Sequence, residues 1–331
     1  MKIYLASSCA PSEESPVVRA FREVAAMDAF GVHTIADTPE SADLILFVDN
    51  HMNPDWRVRA MLEHPLLKRF PNKCMVYDER DHPLNALPGV YASMPAKYFD
   101  AGSQRPWAYY TLSGNTVVPP GAAADLLYSF MGTPGPRTSG GHSTRREIIS
   151  LRDDRALIED TSGFVFYDDR GDPAAHAACQ RRFAEIIGRS KFVLCPRGNG
   201  TSSIRLYEIM RAARVPVILA DQWVAPIGPG WSKFSLRLGQ DDVARIPDIL
   251  RQQEARWEEM AARAAAAYRL WFAPDVNFHN IAEQCRSIME HGIRVDAKLR
   301  AARYRELRWR NAVVAARTSV GRVLRAFGLR R

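Results

Sequence analysis

The stretch from Lys191 to Trp231, KFVLCPRGNGTSSIRLYEIMRAARVPVILADQWVAPIGPGW, restricts the fold more than any other part of this 331-residue chain. Phe192, Val193, Leu194 and Cys195 make a short apolar run stopped by Pro196, and Val215, Val217, Ile218 and Leu219 make a second one rich in β-branched residues. Parallel strands buried on both faces read this way. Between the runs, Leu206, Ile209, Met210 and Ala213 recur at i, i+3, i+4 and i+7, the apolar stripe of a helix laid against a sheet. The unit is strand, helix, strand, with its polar residues gathered where the first strand meets the helix.

That junction, Arg197, Gly198, Asn199, Gly200, Thr201, Ser202 and Ser203, supplies what a phosphate needs. Glycines let the backbone approach closely, and N–H groups, hydroxyls and a helix N-terminus all favour negative charge. Arg197 and Arg205 add forked guanidinium donors suited to diphosphate oxygens. Glu208, an acceptor, suits a ribose hydroxyl better. A plainer reading of the same residues is a turn with Ser203 as helix cap and Arg205 and Glu208 as a solvated i, i+3 pair. The loop is neither a GxGxxG nor a GxxxxGK[ST] pattern.

The rest of the chain repeats the alternation. A strand at 3–6 precedes a helix beginning at Ser15 and Pro16, a strand at 43–49 precedes a helix running through Trp56, Met61, Leu62 and Leu66, and 74–77 forms a third strand. This order indicates a doubly wound parallel sheet. Residues 100–125 resist assignment. A strand at 126–131 and a helix at 143–151 lead to a boundary expected near 152–160, followed by a strand at 164–167, a helix at 174–189 and the loop region. Helices are expected at 251–269 and 277–291. The expected division is an N-terminal Rossmann-like unit at 1–152, a C-terminal one at 153–293 and a basic helical tail at 294–331.

The order Pro196-Arg197-Gly198, Gly200, Ser203, Arg205-Leu206, Glu208, Val215-Pro216-Val217-Ile218, Asp221 and Pro226 resembles the donor-binding core of the exostosin-like glycosyltransferases of family 47. The likeness is tight over this core and looser across 74–165. It implies a GT-B fold, two Rossmann-like domains facing across a cleft, and inverting, metal-independent transfer from a nucleotide sugar of the UDP class to a saccharide acceptor. Arg145 would then meet the donor phosphates beside Arg197 and Arg205. At Arg211-Ala212-Ala213-Arg214 the chain departs from the family, in which many members carry Ala-Gly at the helix end.

Such a transfer needs a base for the acceptor hydroxyl, and ligands of open parallel sheets sit beyond the carboxyl ends of the strands. Asp81 is the first candidate, with Asp49 and His82 behind it; each also reads as a turn or helix cap. Trp223 could stack on a base or pack in the core. With no DxD at a convincing strand end and no HExxH or CxxC, no metal ligand is assigned, and the nucleotide sugar is the only co-substrate expected. A catalytically silent nucleotide-sugar-binding subunit is the alternative reading.

The net charge of +8 is concentrated at one end. From Arg294 onward 12 Arg or Lys stand against Asp296 and Glu306, a local +10, so the remainder carries 8 − 10 = −2. An acidic body argues against a nucleic-acid-binding protein. The tail stripe Val313, Ala316, Val320, Val323, Leu324 and Phe327 suits an anionic membrane surface beside a lipid-linked acceptor, packing back onto the N-terminal unit, or nucleic acid. No run reaches the ~18 to 20 apolar residues of a membrane span, and the opening MKIYLASSCA lacks a signal peptide's apolar region. A cytoplasmic protein, peripheral on the membrane at most, is expected. The five cysteines show no pairing pattern and read as reduced thiols.

Overall fold

The computed structural model describes residues 1–8, 15–48, 60–81, 83, 87–109, 123–134, 142–163 and 173–292, with 301, 302, 305 and 309. The first unit comprises β1 (Lys2–Ala6), α1 (Pro16–Ala26), β2 (Thr34–Ile35), β3 (Leu44–Phe47), α2 (Pro65–Arg69), β4 (Cys74–Asp78), β5 (Gly89–Tyr91) and β6 (Gln104–Pro106). Its strands lie in the order β2-β1-β3-β4-β5-β6, every pair parallel. The second contains β7 (Leu126–Gly132), α3 (His142–Ser150), β8 (Ala156–Asp160), α4 (Pro173–Arg189), β9 (Ser190–Pro196), α5 (Ile204–Arg211), β10 (Val215–Leu219) and β11 (Leu236–Arg237). Its order is β11-β10-β9-β7-β8, again all parallel. The expected pair of doubly wound sheets is therefore present. Three helices follow: α6 (Ile246–Gln253), α7 (Trp257–Trp271) and α8 (Pro274–Glu290).

Local chemistry explains the boundaries. Ser15 caps α1, its Oγ accepting the Val18 N–H at 3.4 Å, and Pro16 opens the helix where a missing N–H costs nothing. The helix then buries Val18, Phe21 and Val24 against the sheet. The helix expected to run unbroken through Met61 and Leu66 is interrupted. Residues 60–63 are helical, but Pro65 forces His64 into extended backbone, and α2 restarts there with His64 Nδ1 accepting the Leu66 N–H at 3.2 Å.

The division between units also differs from the expected one. A cut at 152 would sever a sheet, because β7 pairs with both β8 and β9. β7 and α3 belong to the second unit, and the change of unit falls between β6 and β7. β8 occupies 156–160, where a boundary was expected; as a partly exposed edge strand carrying Glu159 and Asp160, it lacks the apolar signature of its neighbours. The strand expected at 164–167 lies outside the described residues, as does most of the tail. Among the described residues no helix is long and apolar enough to cross a membrane, and Cys74, Cys179, Cys195 and Cys285 are unpaired thiols.

α8 leaves the second unit and packs on the first, against α1, β5 and β6. Phe278 meets the Phe21 ring, Asn277 Oδ1 accepts the Trp107 indole N–H at 2.9 Å, and Arg105 donates to Ser287 Oγ at 2.9 Å. One apolar core consequently runs through both units, from Leu5 and Phe21 to Ile209 and Phe272.

The departure at the end of α5 has a conformational cost. Ala213 sits at φ 52°, the left-handed region where Cβ crowds the carbonyl oxygen. Ala213→Gly should raise stability by about 1 kcal/mol, read as a higher urea midpoint at unchanged m-value.

Candidate active site

The second sheet winds outward from β7 in two directions, to β8 on one side and through β9, β10 and β11 on the other. Its switch point lies between β7 and β9, where the connecting segments diverge and leave a crevice at the carboxyl ends of the strands. Three arginines converge there. Arg145, from the first turn of α3, donates through Nε to the Arg197 carbonyl at 2.9 Å, and through its terminal nitrogens to the Thr133 and Pro196 carbonyls at 3.4 Å each. Arg205, from α5, donates to the Met131 and Leu194 carbonyls and lies over the rings of Phe130 and Phe183 at 4.8 and 5.2 Å. Arg197 begins the loop itself and donates to the Asn199 carbonyl at 2.9 Å.

None of the three guanidinium groups is ion-paired with a carboxylate among the described residues. The Nε atoms of Arg197 and Arg205 are buried without a hydrogen-bond partner. Burial lowers the pKa of each arginine; for Arg145, burial and then the neighbouring Arg205 charge bring it down to about 10. All three remain cations at neutral pH. Buried charge without an opposite partner is costly, and an anionic ligand relieves it. The neighbouring Arg146 is exposed.

The loop is held from across the molecule. Ser93, fully buried just after β5, accepts the N–H groups of Thr201 and Ser202 on one Oγ, at 2.8 and 3.3 Å. The two sheets therefore meet by their carboxyl ends, the GT-B arrangement. Thr201 and Ser202 are buried and their N–H groups are taken by Ser93, while both residues line a small cavity with Arg197 and Ser203. Gly198, Asn199 and Ser203 stay accessible to varying degrees. Gly200 is buried, and a Cβ there would lie 2.7 Å from Asp81 Oδ1 and 3.1 Å from Asp81 Cα. Only glycine allows this approach.

Asp81 is thereby placed against the loop. The end of β4 and the turn after it carry three carboxylates, of which Asp78 is bound by Arg80 and Glu79 is buried beside the Tyr77 hydroxyl. Asp81 is exposed, and its charge reaches Arg145, Arg197 and the buried Tyr109 hydroxyl, whose pKa is raised by burial first and by Asp81 next. Asp49 and His82 lie outside the described residues. Glu208, half-buried on α5, lies near enough to Arg205 and Cys195 to influence both. Trp223 is 4 % exposed, meets Trp231 edge-on at 5.0 Å and has Arg237 over its ring, so it packs in the core. Sequence reasoning passed over Ser93 and Tyr109; the available signal was Ser93's position at the carboxyl end of a strand too short to recognise.

Residues 116–253 match the family model of the exostosin GT47 domain. The matched segment, under half of the chain, is similar to that domain. The matched span takes in β7 through α6, the whole second sheet with its arginine crevice. The GT47 match is accompanied by distant relatives. The Exostosin-1 homolog of Caenorhabditis elegans is 29% identical over 102 residues, covering 28% of this chain and 25% of that protein. The probable glucuronosyltransferase GUT1 of Oryza sativa subsp. japonica is 23% identical over 190 residues, covering 47% of this chain and 45% of that protein. The chain thus spans about a quarter to under half of these relatives. Among solved structures, a glycosyltransferase from Rickettsia africae ESF-5 superposes with a TM-score of 0.42 at 12% identity, covering 87% of this chain and 98% of the other. Anabaena HepE in complex with UDP gives 0.39 at 11%, covering 88% and 100%.

Proposed function

We propose that this GT47 protein transfers a sugar from a nucleoside diphosphate sugar, of the UDP class, to a hydroxyl of a saccharide acceptor with inversion at the sugar C1. The observation that carries the proposal is the cluster of three part-buried guanidinium groups at the β7/β9 switch point, none of them ion-paired with a carboxylate among the described residues. A diphosphate supplies the missing negative charge, and as the C1–O bond to it breaks, the charge growing on the leaving oxygen is met by donors already in place. The acceptor oxygen forms the new bond to C1 from the opposite face, and its proton passes to Asp81. Glu208, half-buried on α5, would accept from a ribose hydroxyl. Arg145 and Arg205 orient and neutralise; they take no proton. The basic tail at 313–331 would hold the enzyme at an anionic membrane surface when the acceptor is lipid-linked.

A screen of UDP- and GDP-sugars for donor hydrolysis and acceptor-dependent release of nucleoside diphosphate tests this reading. One UDP-sugar should turn over well above the rest, and UDP should bind competitively with it. Binding of UDP without turnover of any donor would favour a nucleotide-sugar-binding subunit, and no nucleotide binding at all would remove both readings.

A further inference from the structure

Far from the arginine crevice, the first unit and α8 bring together His33, His279 and Glu283, the one group of three such side chains among the described residues whose ligand atoms all lie within 4.8 Å of one another. His279 and Glu283 are one helical turn apart on the same face of α8, and His33 immediately precedes β2. Because His33 stands at the amino end of its strand, the cluster lies on the side of the first sheet opposite the carboxyl ends that face the donor loop. The His33 side chain is 1% exposed; its Nε2 meets Glu283 Oε1 at 2.9 Å, while its Nδ1 is buried without a hydrogen-bond partner. Nδ1 of His279 is likewise buried and unpartnered, its ring stacked on Phe30 at 4.0 Å and 5.1 Å from the His33 ring.

Buried imidazole nitrogens without partners are rare, because each forfeits a hydrogen bond it had in water. Two neutral imidazoles and a carboxylate suit a borderline cation, which takes nitrogen at about 2.0–2.1 Å and ligand atoms about 3.3 Å apart, within reach of small side-chain rotations. Glu283 also binds Arg286, through Nε at 3.0 and 3.1 Å, but Arg286 holds Glu290 as well and keeps that partner if Glu283 turns.

We infer that His33, His279 and Glu283 bind a zinc-class divalent ion that staples α8, the helix crossing from the second unit, to the first. Water would complete the coordination. The ion is structural, since its ligands cannot reach a donor held at the opposite end of the strands.

The test uses the full chain, stripped with EDTA and desalted, then titrated with ZnCl2 by calorimetry and followed by thermal unfolding. Wild type should bind one ion per chain, with Tm rising by about 5 °C at saturating zinc, and Co2+ should give the intense visible bands of a four-coordinate nitrogen and oxygen site. His279→Gln and Glu283→Gln should each weaken binding roughly 100-fold or more and abolish the Tm rise. His291→Gln, at the exposed end of the same helix, should bind as wild type does. The inference is overturned if wild type binds no zinc, if both ligand variants bind it equally well, or if zinc alters UDP affinity and so belongs to the donor site. Circular dichroism of each variant separates ligand loss from misfolding.

Discussion

Arg145→Lys should lower kcat/KM for the donor by about 10²–10³-fold, although the charge is kept. The guanidinium reaches three carbonyls of two loops at once, those of Thr133, Pro196 and Arg197. Three of its five N–H donors are committed in this way, and two remain for a phosphate. An ammonium on a flexible stem cannot reproduce that planar fork. The loop carbonyls lose their shared partner, Arg197 loses its position, and the diphosphate loses its donors together. Steady-state donor hydrolysis, with UDP affinity measured by calorimetry, reads the effect. Activity within about 3-fold of wild type would show that the crevice holds nothing the reaction uses.

Asp81→Asn should produce a loss of similar or larger size, about 10²–10⁴-fold in transfer, the range for removal of a general base. The two substitutions separate in binding. Asp81 sits beside the arginines as the nearest free carboxylate, so its neutralisation leaves UDP affinity unchanged or tightened, whereas Arg145→Lys weakens it. Asn retains the shape beside Gly200, whose close contact with Asp81 tolerates no bulk. If transfer by Asp81→Asn persists while UDP affinity rises, the carboxylate only balances charge, and the base lies elsewhere on the first unit.

The parts of this architecture that could be read before the structure are those in which side-chain pattern and burial coincide. β9 and β10 are buried along nearly their whole length, and their apolar runs announce it. The start of α1 was legible because Ser15 and Pro16 act on their own few residues. β5 and β6 were not, because each is three residues long and one of them, Gln104–Pro106, buries Gln and Arg. β7 was visible as a strand but assigned to the wrong unit, since pairing is decided by neighbours in space. The same limit applied at the loop. Its composition reads as a place for an anion, but does not reveal that Ser93, more than a hundred residues away, already occupies two of its N–H groups. Nor could spacing reveal that Asp78 is taken by Arg80 while Asp81 stays open.

The packing of α8 determines how far this protein can be treated as interchangeable parts. The helix belongs by connectivity to the second unit and by contact to the first, where it covers Phe21 and Trp107. The family match ends at residue 253, before α8 begins. A chimera made by exchanging the matched segment would keep its crevice, but its success would depend on whether the new α5 still places an aromatic ring where Tyr207 meets Phe272 and the Trp107 carbonyl. Expressing the first unit alone would strip an aromatic seam bare and invite aggregation. Recombination in this lineage is therefore constrained less by the arginine-bearing loop than by a helix packed on the far side of the molecule from it.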